Sequence, residues 1–242
     1  MIQDSSKETS DTFLKLIILW RILKIKFKAI LFDLDGTLLD TLKDLADSMN
    51  SVLSRKGIEI FPVDDYRYFA GKGAKYLVQC VMPKEHIDEK IVEEFFSAMK
   101  DEYSKRWAKN TKPYSGIPEL LDELQRIGLP MAVLSNKSDE FTQIMVKSLL
   151  PQWKFKIIRG LINNVAPKPD PTSALMIANE LQIPPREFLY LGDTDVDMQT
   201  ANAAGMYAVG VLWGFRTAEE LNANGAKSLI ETPSQVLDLL MQ

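Results

Sequence analysis

The sequence predicts an α/β fold, a Rossmann-like parallel-sheet core interrupted by an all-helical insertion. Short apolar stretches alternate with segments of helical pattern, as expected of a parallel sheet covered by helices on both faces. One tract, from about Thr41 to Thr111, reads as helical almost throughout. Two of the apolar stretches end in acids, and open α/β sheets hold their ligands beyond the carboxyl ends of their strands.

Taken in order, the first strand is Lys28–Asp33, whose unbroken apolar run suits a strand buried on both faces. Helical pieces follow at Leu42–Arg55, Asp64–Phe69, Ala74–Val81 and Asp88–Trp107. A helical block placed directly after the first strand is positioned to cover the catalytic edge. The turn chemistry of Thr111-Lys112-Pro113-Tyr114-Ser115-Gly116 marks the return to the core. Helix Pro118–Arg126 then leads into strand Pro130–Ser135, and further strands are expected at Phe155–Ile158, Phe188–Leu191 and Tyr207–Val211.

Composition narrows the chemistry. With 46% hydrophobic and 26% charged residues, the 242-residue chain has ample material for a soluble core. A formal net charge of -4 argues against a nucleic-acid partner. The single cysteine, Cys80, cannot pair within the chain and suits a reducing cytoplasm. The single histidine, His86, makes a Ser-His-Asp triad or a multi-histidine zinc site hard to build, and it is expected on a polar surface between Glu85 and Asp88. Catalysis therefore falls to carboxylates, hydroxyls and lysines.

Residues 1–12 are polar, and Phe13 to Phe27 are largely apolar but broken by Lys15, Arg21, Lys24 and Lys26. The uninterrupted stretch Leu16–Trp20 is far short of the ~20 apolar residues that span a bilayer. Asp4, Glu8 and Asp11 precede it, unlike the positive start of a secretory signal. The segment reads as an extension packed on the core or on a partner, with membrane contact by residues 13–27 the lesser reading.

Four stretches carry chemistry. In Ile30-Leu31-Phe32-Asp33-Leu34-Asp35-Gly36-Thr37-Leu38, two acids separated by one residue lie at the end of a strand. Asp33 is the candidate nucleophile toward phosphorus and Asp35 the candidate general acid and base. Gly36 allows a tight turn and Thr37 offers a hydroxyl; the plain alternative is an Asp-Gly turn closing an ordinary strand. Leu191-Gly192-Asp193-Thr194-Asp195-Val196-Asp197 repeats the pattern, with Asp193 placed to ligate Mg²⁺ and Asp197 to support it. A calcium loop fails there because Met198 and Ala204 stand where glycine and glutamate are needed. Met131-Ala132-Val133-Leu134-Ser135-Asn136-Lys137 ends in a hydroxyl and an amide, and Ser135 with the following backbone amides would cradle phosphate. In Ala166-Pro167-Lys168-Pro169-Asp170-Pro171, Lys168 would neutralise Asp33 and phosphate oxygens, although a lone lysine is commonly just solvated.

The set and order Asp33/Asp35, Ser135, Lys168, Asp193/Asp197 resembles the haloacid dehalogenase-like superfamily of phosphohydrolases, from Lys28 onward. The resemblance implies an Asp33 nucleophile, an Asp35 acid/base, and Mg²⁺ held by Asp33, the Asp35 carbonyl and Asp193. It also implies a small helical C1-type cap over residues 43–113, a core of 28–42 and 114–242, and an extension of 1–27. Thr37, Ser135, Asn136 and Lys168 are the expected phosphate-binding residues, and Asp33, Asp35, Asp193 and Asp197 the expected metal site.

Within that superfamily, Phe69-Ala70-Gly71-Lys72-Gly73-Ala74 and Gly210–Arg216 are similar to the phosphoglycolate phosphatases, as is the tail from Gly225. Gly71, Lys72 and Gly73 then become candidate specificity residues. The expectation is a Mg²⁺-dependent monoesterase acting on a small phosphorylated metabolite, as a monomer or dimer. Asp35 and Asp193 argue against a dehalogenase, which needs neither, and the insertion lacks a clear match to sugar-phosphate mutases. A non-catalytic binding protein stands last, against the intact set of acids.

Overall fold

The computed structural model describes residues 26–82 and 88–241. Most of the N-terminal extension, and His86, lie outside the described residues. The described residues hold a six-stranded sheet in the order β5-β4-β1-β6-β7-β8. Its strands are β1 (Ala29–Phe32), β4 (Met131–Ser138), β5 (Phe155–Leu161), β6 (Phe188–Gly192), β7 (Tyr207–Val211) and β8 (Ser228–Ile230). All neighbouring pairs are parallel. The chain builds outward from β1 on one side, then returns to β6 and builds outward on the other. Strand order therefore reverses between β1 and β6, where such sheets open their binding crevice.

β1 shows why an unbroken apolar run was needed. Ile30 and Phe32 join one buried cluster while Ala29 and Leu31 join the other, so both faces of the strand are covered. The strands after β1 match the predicted ones in place and order. The sixth, β8, went unpredicted because three residues in a polar tail carry no alternation signal.

Helices fill the rest: α1 (Leu42–Arg55), α2 (Tyr66–Phe69), α3 (Ala74–Val81), α4 (Glu89–Ser104), α5 (Ile117–Arg126), α6 (Asp139–Leu149), α7 (Thr172–Leu181), α8 (Asp195–Ala203), α9 (Ala218–Ala223) and α10 (Gln235–Leu240). The first four form the helical insertion. α1 and α3 have the predicted limits. The second predicted piece is a 3-10 turn, Val63–Asp65, running into α2. The fourth starts where the Asp88 side chain accepts the Lys90 amide at 2.7 Å, and it ends at Ser104 rather than Trp107. No helix among the described residues is long and apolar enough to cross a membrane.

The two passages between insertion and core pair with each other. β2 (Leu39–Asp40) and β3 (Lys112–Pro113) form a short antiparallel ladder. Just beyond it, the buried carboxylate of Asp44 accepts from the Asn110 and Thr111 amides, the Asn110 side chain and the Thr111 hydroxyl, at 2.7–3.2 Å. These bonds hold the Asp44 carboxyl below its ordinary range although burial works the other way. One residue in the first turn of α1 thus fixes the returning strand.

Candidate active site

The site is assembled at the carboxyl ends of β1, β4 and β6. Asp33 follows β1 directly, and burial with Asp197 and Asp193 nearby pushes its carboxyl well up, against the pull of Lys168. Its Oδ1 accepts the Leu34 amide at 2.6 Å and faces Lys168 Nζ at 2.9 Å. Both lone pairs of Oδ1 are therefore used, while Oδ2 remains.

Lys168 comes from the proline-rich loop after β5. Its ammonium reaches Asp33, Asp197 Oδ1 at 2.6 Å and the Leu134 carbonyl at 3.3 Å, which accounts for all three protons. Burial disfavours this charge, but Asp197 and Asp33 overcome it and hold the lysine well above its usual range.

Asp193 follows β6 and is fully buried. Thr37 donates to its Oδ1 at 3.0 Å and the Phe215 amide to its Oδ2 at 2.8 Å, so each oxygen keeps one lone pair. Burial and Asp197 raise its carboxyl to about 7 despite those two bonds. Gly36 is essential to this approach: its φ is +84°, and a Cβ there would lie 2.1 Å from Asp193 Oδ2.

Asp197 sits in the first turn of α8. Its Oδ1 is taken by Lys168 and Tyr190, and its Oδ2 by the amide and hydroxyl of Thr194, a reciprocal cap of the helix. No lone pair is left for a metal.

Asp33, Asp193 and Asp197 offer oxygens within 4.8 Å of one another. With all three carboxylates ionised, the cluster would carry two negative charges beyond the Lys168 ammonium that pairs with Asp33 and Asp197, an excess that a divalent cation would balance. Asp33 Oδ2 and the spare lone pairs of Asp193 are the places where such an ion fits.

Asp35 turns away from that cluster. Its Oδ2 lies 3.2 Å from Lys137 Nζ, and its buried Oδ1 has no partner among the described residues. Ser135, within β4 where its pairing with β5 becomes irregular, accepts the Lys137 amide at 3.2 Å. Two other expected phosphate ligands have different work. The Thr37 hydroxyl is spent on Asp193. The Asn136 side chain donates to the carbonyls of Gly71 and Lys168 and accepts the Lys168 amide, so only its backbone could meet a phosphate.

The insertion packs directly over these loops. Lys72 Nζ pairs with Asp195 at 2.9 Å, and Arg67 donates to the Gly214 carbonyl at 2.9 Å. Arg216 reaches back to the carbonyls of Arg67 and Ala70. Gly71, at φ +105°, leaves only 3.0 Å between its would-be Cβ and Thr194. Asp33 is 4% exposed in this arrangement. An open cleft of about 570 Å³ lies elsewhere among the described residues, between Tyr114, Trp213, Pro233 and Leu237.

Sequence reasoning missed Asp44, Lys137, Tyr103 and the pair Arg67 and Arg216. Their partners are distant in the chain, so spacing held no signal. Lys137 and Arg216 stood inside marked stretches but were given no role there.

A parallel sheet with this strand order, carrying acids beyond β1 and β6 and a lysine between them, defines a Rossmann-like α/β enzyme whose site is built on carboxylates. The haloacid dehalogenase-like hydrolase family model matches residues 30–211, and the chain belongs to that family. Among its relatives, a phosphoglycolate phosphatase of Aquifex aeolicus is 32% identical over 213 residues, covering 88% of this chain and 96% of that one. An N-acetylmuramic acid 6-phosphate phosphatase of Pseudomonas aeruginosa is 30% identical, covering 90% and 96%. The crystal structure of a Lactobacillus delbrueckii subsp. bulgaricus protein, provisionally described as a phosphoglycolate phosphatase, superposes with a TM-score of 0.83 at 28% identity, covering 89% and 99%.

Proposed function

We propose that this protein is a Mg²⁺-dependent phosphomonoesterase that works through an aspartyl-phosphate on Asp33. The observation that carries the reading is the division of labour between two acids separated by one residue. Asp33 has one oxygen clamped by Lys168 and the other open, while Asp35 keeps a buried oxygen without a partner among the described residues.

The Asp33 carboxylate attacks phosphorus and the ester bond to the alcohol breaks. Asp35 gives its proton to the departing alkoxide, then takes one from the water that hydrolyses the acyl phosphate. Lys168 pulls Asp33 toward its ionised form, against burial and the neighbouring acids, and holds it in place. Ser135 and the backbone amides after it bind phosphoryl oxygens. Bound Mg²⁺, held by Asp33, Asp193 and the Asp35 carbonyl, would neutralise phosphoryl charge. Asp197 serves that site through Lys168 rather than as a ligand.

Residues 43–113 act as a cap on the core 28–42 and 114–242, hinged at the β2–β3 ladder. A nucleophile this buried needs the cap to open for substrate to enter. The loop Gly71-Lys72-Gly73 would then read the substrate, and the single thiol suits a cytoplasmic setting.

The substrate proposed is 2-phosphoglycolate, as the names of the Aquifex and Lactobacillus relatives suggest. The Pseudomonas relative favours a second reading, a sugar-acid phosphate. Both compounds join a phosphate ester to a carboxylic acid, the shared chemistry that cap amides would recognise. A steady-state panel of small phosphate esters, with and without Mg²⁺, tests this by kcat/KM. Phosphoglycolate should rank first and chelator should abolish turnover; full activity in chelator would contradict the Mg²⁺ requirement.

A further inference from the structure

Lys137, its side chain 9% exposed, lies at the point where insertion and core meet. Its ammonium lies 3.2 Å from Asp35 Oδ2 and 3.1 Å from the Tyr103 hydroxyl, and 4.5 Å above the Tyr103 ring. Tyr103 belongs to α4 of the insertion. Its hydroxyl donates to Met145 Sδ at 3.6 Å, and its ring meets Phe141 edge-on at 5.2 Å. Two contacts to α6 therefore fix the tyrosine, and the tyrosine fixes the lysine.

The carboxylate plane of an aspartate turns easily, because its terminal torsion is broad. With Oδ2 tied to Lys137, the unpartnered Oδ1 is left in a single orientation. We propose that Lys137 is a positioning residue for Asp35, itself held by Tyr103, so that the proton-transferring oxygen is aimed only while the insertion is packed on the core. The inference rests on the phosphomonoesterase reading and adds to it a coupling between closure and proton transfer. A misplacement of about 1 Å costs on the order of a hundredfold in rate, so the arrangement has the leverage to matter.

The test compares phenyl phosphate with p-nitrophenyl phosphate, esters of similar shape whose leaving groups differ in their need for a proton, alongside phosphoglycolate. kcat/KM is used because it reports the step that expels the alcohol. Lys137→Met should lower kcat/KM about 100-fold for phenyl phosphate and phosphoglycolate, and at least about tenfold less for p-nitrophenyl phosphate. Tyr103→Phe, which removes one hydroxyl and keeps the ring, should show the same pattern at about 3–10-fold, and Lys137→Arg should restore part of the loss. Equal losses on all three esters in Tyr103→Phe would overturn the proposal, leaving these residues a structural role only. A loss confined to phosphoglycolate would overturn it too, making Lys137 a ligand of the substrate carboxylate. Wild-type protein inert toward all three would instead overturn the phosphatase reading on which the proposal stands.

Discussion

Lys168 Nζ and Asp33 Oδ1 stand 2.9 Å apart, with side chains 1% and 5% exposed, at the centre of the carboxylate cluster. Neither charge is tolerable alone at that depth. Lys168→Met should therefore destabilise the fold by about 3–5 kcal/mol in denaturant unfolding, because Asp33 and Asp197 both lose their counter-charge. It should also abolish turnover, since an unpaired, buried Asp33 holds its proton. A variant of wild-type stability would mean that the carboxylates are already neutral.

The Asp193 carboxyl, raised to about 7 by burial and Asp197, yields a pH dependence with a definite sign. A carboxyl that holds its proton more tightly folded than unfolded favours the folded state at low pH. That contribution is lost as pH rises from about 4 to about 7. In chelator, Tm should accordingly fall between about pH 4 and about pH 7, and Asp193→Asn should flatten the trend. Mg²⁺ should recover stability most at the alkaline end, where it meets no competing proton. A Mg²⁺ effect that grew toward acid would contradict this account of the site.

Much of this site was legible in the sequence because strand geometry converts spacing into position. An apolar run ending in acids places them at one sheet edge, and that alone located Asp33, Asp35 and Asp193. What the side chains do there was less legible. Thr37 and Asn136 read as phosphate ligands because hydroxyls and amides at strand ends often are, yet their hydrogen bonds are spent on Asp193, Gly71 and Lys168. Whether a donor is free depends on tertiary partners that spacing does not encode. The β2–β3 ladder escaped for a related reason. Two-residue strands, one containing Pro113, have no periodicity and exist only because the insertion's ends are brought together.

At those ends, Asp44 satisfies two backbone amides and two side chains of Asn110 and Thr111. Asp44→Ala should cost on the order of 2–4 kcal/mol, because buried amides are left without acceptors. If the ladder is the hinge, kcat/KM should fall as well, even though Asp44 touches no reacting atom. An unchanged unfolding midpoint would show that water replaces the carboxylate.

Gly73 adopts φ +93°, with the Asn136 carbonyl 3.4 Å from the position of a Cβ. Gly73→Val should disturb the loop over the site more than the core beneath it. The loss should be far greater for phosphoglycolate than for p-nitrophenyl phosphate, which has no carboxylate to satisfy. Equal losses on the two would remove this loop from substrate recognition.

The central claim is that Asp33 becomes phosphorylated. The protein should be mixed with phosphoglycolate and Mg²⁺, quenched in acid within one turnover, and its peptides mapped by mass. The peptide carrying Asp33 should gain one phosphoryl group, and Asp33→Asn should lose both the adduct and kcat by at least about a thousandfold. Turnover without any adduct, together with an Asp33→Asn variant of near wild-type kcat, would contradict the account.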